Sequence, residues 1–414
     1  MFRYAVTPAI AADLARFDDL ARRFDVLATL PRTWSGHMRR DLEAEATGAS
    51  VALEGVPVTV DDVRRILAGD RPARVSEADA SLVEGYRDAM RLVLRRADDP
   101  HFTWTAEILR SIHERVMAQS WASRAGLLRE RQNRLQDGRT GAQVYLPPPA
   151  GEVPHLLDDL AAWLAQASSD PPVLVRAALA HVMMAGIHPF ADGNGRTARI
   201  VASLVMYRGG LRHPQFTSLE EWWGRHSDEY YEAFACLGPQ WDETTDVTPF
   251  VAAHVSAQKR QAEALSLRHG AEQILWTVLE DIAIHDLGAK PRVTNALWEA
   301  FFGREVTNRY YRGLADVPQV TASQDLKQLQ TSGLLAAEGG GRSRSYHGTV
   351  ALMRRVVEAA SLEVDVRGAA APDEALRADV FSALAARTRG ADRPAHDRSA
   401  LTNAPVTTTV VSSV

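Results

Sequence analysis

Apolar residues recur at helical spacing along most of the chain. After Pro154, for example, Leu156, Leu157, Leu160, Trp163 and Leu164 stand three and four apart, the spacing of one helical face. Val173 to Ile187 reads as a strong helix, with Asp170 and Pro171 where an N-cap and a first-turn proline belong. Thr197 to Tyr207 reads as a second apolar helix, closed by Gly209 and Gly210. The expected fold class is therefore all-α. The exception is Asn133 to Pro149, where Asp137-Gly138 and Thr140-Gly141 supply turn chemistry between short apolar segments and a proline run follows, which predicts a β-hairpin. We expect an N-terminal helical region over 1–70, a helical core over 71–265, a smaller domain over 266–350, and a helix plus tail over 351–414. Within that last part a short helix is expected near Ala375 to Ala386. The final stretch lacks apolar periodicity and is expected to be disordered.

Composition narrows the function. A chain of 414 residues, 46% hydrophobic, can bury a full core. Its formal charge of −5 argues against coating nucleic acid or anionic membrane through an overall field, so any such contact is local. The single cysteine, Cys236, cannot form an intramolecular disulfide and reads as a structural thiol. The first residues fit neither a signal nor a transit peptide. No apolar run reaches the roughly 18 residues a membrane span needs, and a cytoplasmic location is expected.

The chemistry concentrates in His188 to Arg199, HPFADGNGRTAR, in a turn that opens a helix. A helix N-terminus preceded by glycines presents backbone N–H groups and a positive dipole end, which bind anions. Gly193, Asn194 and Gly195 can supply that nest, with Asn tolerating left-handed geometry between the glycines. Arg196 and Arg199 lie three apart and can reach further phosphates. Asp192 offers one hard oxygen, which suits Mg²⁺ carried by a polyphosphate. His188 can take a proton from an attacking hydroxyl. Neither a P-loop nor GxGxxG occurs anywhere in the chain.

This string resembles the signature of Fic domains, HxFx[DE]GNGRxxR. The resemblance implies a helical core and transfer of AMP from Mg²⁺-bound ATP to a Ser, Thr or Tyr hydroxyl of a target protein. In its terms His188 is the general base and Asp192 holds Mg²⁺. Gly193 to Gly195 cradle the α- and β-phosphates, and Arg196 and Arg199 steady the β- and γ-phosphates. The resemblance extends over about residues 10–265. It makes the hairpin a flap that aligns the target, with Val144 and Tyr145 as contacts, and it places Tyr230 and Tyr231 of HSDEYYEAF beside the adenine. Ser50-Val-Ala-Leu-Glu54-Gly55 is similar to the family's inhibitory motif [ST]xxxE[GN]. Ser50 and Glu54 are expected on one helical face, with Glu54 forming a bidentate pair with Arg199 in the γ-phosphate's place. Family resemblance also implies a homodimer.

Further on, the segment from Val306 looks like a winged helix-turn-helix. Its reading helix is expected over Val320 to Gln330, presenting Thr321, Ser323, Gln324 and Lys327, with Arg342 and Arg344 on the wing. Residues 290–347 carry eight basic against five acidic residues, which makes DNA a candidate partner beside ATP and a target protein. The sequence reading is a protein adenylyltransferase autoinhibited by Glu54. Two alternatives stay open: an enzyme that removes AMP at the same site, and a DNA-binding regulator that only senses nucleotide.

Overall fold

A computed structural model describes residues 2–28, 35–67, 69, 71–118, 124–136, 141–166, 171–211, 219–341, 344–366, 369 and 371–388. The described residues divide into two compact units, one up to Glu263 and one from Ala264 onward. Asp170, the hairpin tip 137–140, Arg342 and the tail from 389 onward lie outside the described residues.

The first unit is helical, as the apolar periodicity predicts. It comprises α1 (Pro8–Ala28), α2 (Ser35–Ala52), α3 (Val60–Leu67), α4 (Glu77–Ala97), α5 (Ala106–Val116), α6 (Val153–Ala165), α7 (Val173–Ile187), α8 (Asn194–Arg208), α9 (Leu219–Arg225) and α10 (Ser227–Ala233), and the first half of α11 (Thr248–Asp281). The central element is α7, apolar on every side and buried along nearly its whole length, as such a sequence must be. Its partner is α8; α4 and α5 pack against α8, and α6 packs against α7. α2 lies against α3, α4 and α9. Two helix starts differ from expectation. The N-cap of α7 falls on Pro172, with no side-chain cap. α8 begins three residues early, at Asn194, because Gly193 adopts φ +73° and turns the chain directly into the helix.

The hairpin forms from β1 (Leu135–Gln136) and β2 (Gln143–Tyr145), antiparallel, with Leu135 opposite Tyr145. In the second unit α12 (Thr294–Phe301), β3 (Val306–Thr307), α13 (Asn308–Ala315), α14 (Gln319–Thr331), β4 (Leu335–Glu338), β5 (Ser345–Gly348), α15 (Val350–Ala359) and α16 (Glu374–Thr388) follow in order. Its three strands lie in the order β3-β5-β4, all antiparallel. Among the described residues no helix is long and apolar enough to cross a membrane.

Candidate active site

The site is built where α7 stops. His188 caps that helix in a left-handed conformation, φ +49° and ψ +59°, its N–H donating to Met184. The turn that follows is closed from within by Asn194. Its Oδ1 accepts from the Phe190 N–H and its Nδ2 donates to the Phe190 carbonyl, both at 2.9 Å. Asn194 is the first residue of α8, with helical and not left-handed geometry, and its buried side chain (3% exposed) fixes the turn. Beneath the turn, Phe190 stacks on His113, ring centroids 3.7 Å apart and 2° from parallel. Gly126 donates to His113 Nδ1, so the ring proton sits on Nε2 and reaches the Asp192 carbonyl at 2.9 Å. Burial pushes His113 down to about 4, which keeps it in this neutral form.

The Asp192 carboxylate is 65% exposed and lies 3.7 Å from Arg196. It accepts from the Gly193 N–H at 2.6 Å, so that member of the expected nest is engaged here by the carboxylate. Arg196 is 3% exposed, and its Nε and Nη1 meet no hydrogen-bond partner among the described residues. One helical turn on, Arg199 is saturated. Its Nε donates to Ser50 Oγ at 3.1 Å and its Nη1 to the Tyr230 hydroxyl at 3.1 Å, while Nη2 donates to the Ser50 carbonyl and to Glu54 Oε1, each at 2.9 Å.

Glu54 thus meets Arg199 through one oxygen, and the expected bidentate pair is corrected. Ser50 and Tyr230 already hold the remaining edges of the guanidinium. Nor do Ser50 and Glu54 share a helical face. α2 ends at Ala52, and Glu54 lies in the turn beyond it, where Val56 N–H returns to the Val51 carbonyl and Gly55 takes φ +81°. Burial pushes the Glu54 carboxyl up, but Arg199, with Arg196 and His188, outweighs it and holds the group below its usual range. A side chain added at Gly195 would meet the Glu54 carboxylate and Arg199 Nη1, so Glu54 occupies the hollow that this glycine leaves at the start of α8.

The two tyrosines expected beside the adenine differ in exposure, Tyr231 being 52% exposed. Tyr230 is buried, 4% exposed, against Arg199. Tyr231 donates its hydroxyl to the Leu53 carbonyl at 2.6 Å. Both hold the segment that carries Glu54. Ser50 is braced from behind by Tyr86, whose hydroxyl donates to the buried carboxylate of Glu220 at 2.7 Å.

His188 is half-buried, and its Nδ1 lies 3.4 Å from the Ala185 carbonyl. A carbonyl only accepts, so the proton belongs on Nδ1 and Nε2 keeps a free lone pair. Burial lowers its pKa to about 4, with Arg129 pulling the same way and Glu54 and Asp192 opposing. In the hairpin, Val144 is 52% exposed, whereas Tyr145 is 6% exposed with its hydroxyl on the Gly186 carbonyl. The Tyr145 side chain is therefore an anchor, since alternate strand residues face opposite sides and its side is the core, which leaves only its backbone for the expected strand-edge pairing with a target. Sequence reading also missed His113, Arg129 and Glu220, which no motif singles out.

The donor set fits a magnesium polyphosphate. Two unpartnered nitrogens sit on a buried arginine, a carboxylate now fills the hollow at a helix start, and one exposed aspartate offers a hard oxygen.

A family model described as the Fic/DOC family matches residues 103–206. The protein adenylyltransferase Fic of Culex quinquefasciatus is 27% identical over 245 residues, 58% of this chain and 45% of that protein. The protein adenylyltransferase fic-1 of Caenorhabditis elegans is 31% identical over 168 residues, 39% of this chain and 31% of that protein. The chain thus spans less than half the length of these curated relatives. A crystal structure of a Fic family protein from Desulfovibrio desulfuricans G20 matches with a TM-score of 0.56 at 22% identity, covering 84% of this chain and 98% of that one, a likeness of fold.

Proposed function

Since residues 103–206 carry a Fic domain, we propose that this protein transfers AMP from ATP to a hydroxyl side chain of a target protein and that Glu54 holds the activity back. The observation that carries this reading is the buried Arg196 with two nitrogens lacking partners, beside a hollow filled by the protein's own carboxylate.

In this mechanism Arg196 and the start of α8 bind the triphosphate, and Arg199 receives its outermost phosphate once Glu54 leaves. His188 Nε2 removes the proton of the target hydroxyl. That oxygen forms a bond to the α-phosphorus while the bond to the β-phosphate oxygen breaks, releasing pyrophosphate. Mg²⁺, held by Asp192, would neutralise phosphate charge. Positioning and charge compensation supply most of the rate, as expected for phosphoryl-type transfer. With Glu54 on Arg199, the outer phosphate has neither a partner nor room.

Transfer of label from α-labelled ATP with Mg²⁺ tests this in a lysate of the protein's own source. Label should be weak with the unmodified protein, rise on Glu54→Gly, and vanish on adding His188→Ala. No label in any of the three, with ATP bound, would remove the transfer reading.

A specific observation favours a second role, for the other unit. On α14 the acidic residue is Asp325, which turns inward to Arg292 at 2.8 Å and to the Tyr311 hydroxyl at 2.9 Å. The outward face is left without a carboxylate, and Lys327 and, beyond β4, Arg344 are exposed. We read this unit as a winged helix-turn-helix that contacts DNA through α14.

A further inference from the structure

From Gly186 to Phe190 the chain leaves α7, and its carbonyls have no further helical turn to donate to them. The segment that enters and leaves the hairpin supplies the donors. The Tyr145 hydroxyl donates to the Gly186 carbonyl at 3.0 Å, Arg129 Nε to His188 at 2.8 Å, the Arg129 backbone N–H to Pro189 at 2.9 Å, and Asn133 Nδ2 to Phe190 at 2.9 Å. The same guanidinium also donates through Nη1 to the Arg131 carbonyl at 3.2 Å and through Nη2 to the Pro148 carbonyl, on the returning side of the hairpin. Gln132 adds a bond to the Pro147 carbonyl at 2.8 Å.

Arg129 is 5% exposed, and no carboxylate lies within ion-pair distance of it among the described residues. A buried cation satisfied only by carbonyls is expensive, so packing alone is a poor reason for an arginine here. What an aliphatic side chain of similar volume would lack is the planar fork that reaches two separate segments at once. One of those segments carries His188 in a left-handed conformation that residues other than glycine seldom adopt.

We propose that Arg129 is a positioning residue, which locks the backbone of His188 to the base of the hairpin so that the general base and the strand presenting Val144 move as one body. A target strand laid on the hairpin edge is then placed in register with the proton acceptor, before any contact between target and base. The inference rests on the AMP-transfer reading.

The test uses full-length protein. In the Glu54→Gly background, Arg129→Met should lower kcat for transfer by about 100-fold, the scale of a small misplacement of reacting groups. The Kd for ATP and the Tm should stay close to those of the parent, and Arg129→Lys should recover part of the rate. An unchanged kcat in Arg129→Met, or a parallel loss of ATP binding and Tm, would overturn the proposal.

A second measurement does not depend on transfer. The charged groups facing His188 are Arg129 before the hairpin, Glu54 after α2 and Asp192 in the turn. Removing the positive charge of Arg129 eases protonation of the ring. The His188 resonance, followed by NMR in the otherwise unmodified protein, should therefore titrate at higher pH in Arg129→Met and be unmoved in Arg129→Lys. An unmoved titration in Arg129→Met would overturn the coupling even if the parent protein transfers no label, an outcome that counts against AMP transfer alone.

Discussion

Arg196 and Arg199 lie on one face of α8 and are equally buried, at 3% exposure, yet they differ in what satisfies them. Arg199 is surrounded by Ser50, Glu54 and Tyr230; Arg196 keeps two nitrogens without partners. Burying an unsatisfied cation destabilises the fold, and an arriving anion recovers that cost through charge-assisted hydrogen bonds. Arg196→Met should therefore weaken ATP binding by about 10- to 100-fold, corresponding to one such bond, while leaving the Tm equal or higher. Isothermal titration and thermal melts on the same sample check both. A fall in Tm with unchanged ATP affinity would assign Arg196 a structural role.

Among the elements, the start of α8 takes its shape from its neighbours. Asn194 pins the preceding turn to Phe190, and the stacked pair of Phe190 and His113 supports it from α5. α2 delivers its C-terminal turn to the same place, with Ser50 and Glu54 on Arg199 and Tyr231 on Leu53. In the second unit, α14 turns Asp325 inward, and on the DNA reading its exposed face becomes the contact. Full-length protein should then retain a random-sequence DNA duplex at low salt, with Lys327→Glu and Arg344→Glu each weakening retention by roughly 10-fold, more than the loss of one phosphate contact because the charge reverses. Absence of retention at low salt in the parent would remove the DNA role.

At the scale of the whole molecule, the described residues of the first unit bury His113, His181 and His254 and half-bury His188. Burial lowers His113 and His188 to about 4 and His254 to about 3, and it holds His181 well below the ordinary value. In the unfolded chain each titrates near the ordinary value of about 6.5. Between the folded and unfolded values only the unfolded state is protonated, so stability falls as pH drops from 6.5 toward 4 and is fully present above that window. Each such histidine contributes up to about 1.4 kcal/mol per pH unit within it. The urea midpoint of the first unit should drop progressively from pH 7 to 5, and replacing His254 by Phe should flatten the dependence. A midpoint constant across that range would contradict the buried neutral state.

The sequence by itself determined what depends on near neighbours along the chain. Periodicity placed α7 and most of α8, turn chemistry placed the hairpin, and twelve adjacent residues gathered a histidine, an aspartate, glycines and two arginines. The start of α8 lies three residues ahead of the apolar run because the Asn194 side chain closes the turn on Phe190, a contact four residues back. Tertiary structure alone decided the relations between distant segments. Glu54 lies 145 residues from Arg199 and meets it through one oxygen, because Ser50 and Tyr230 claim the other edges of the guanidinium. Tyr145 turns into the core, and Arg129 crosses 59 residues to the carbonyl of His188. Such contacts leave no periodic or motif signal, since a backbone carbonyl carries no residue identity and a buried cation is justified only by the groups the fold brings around it.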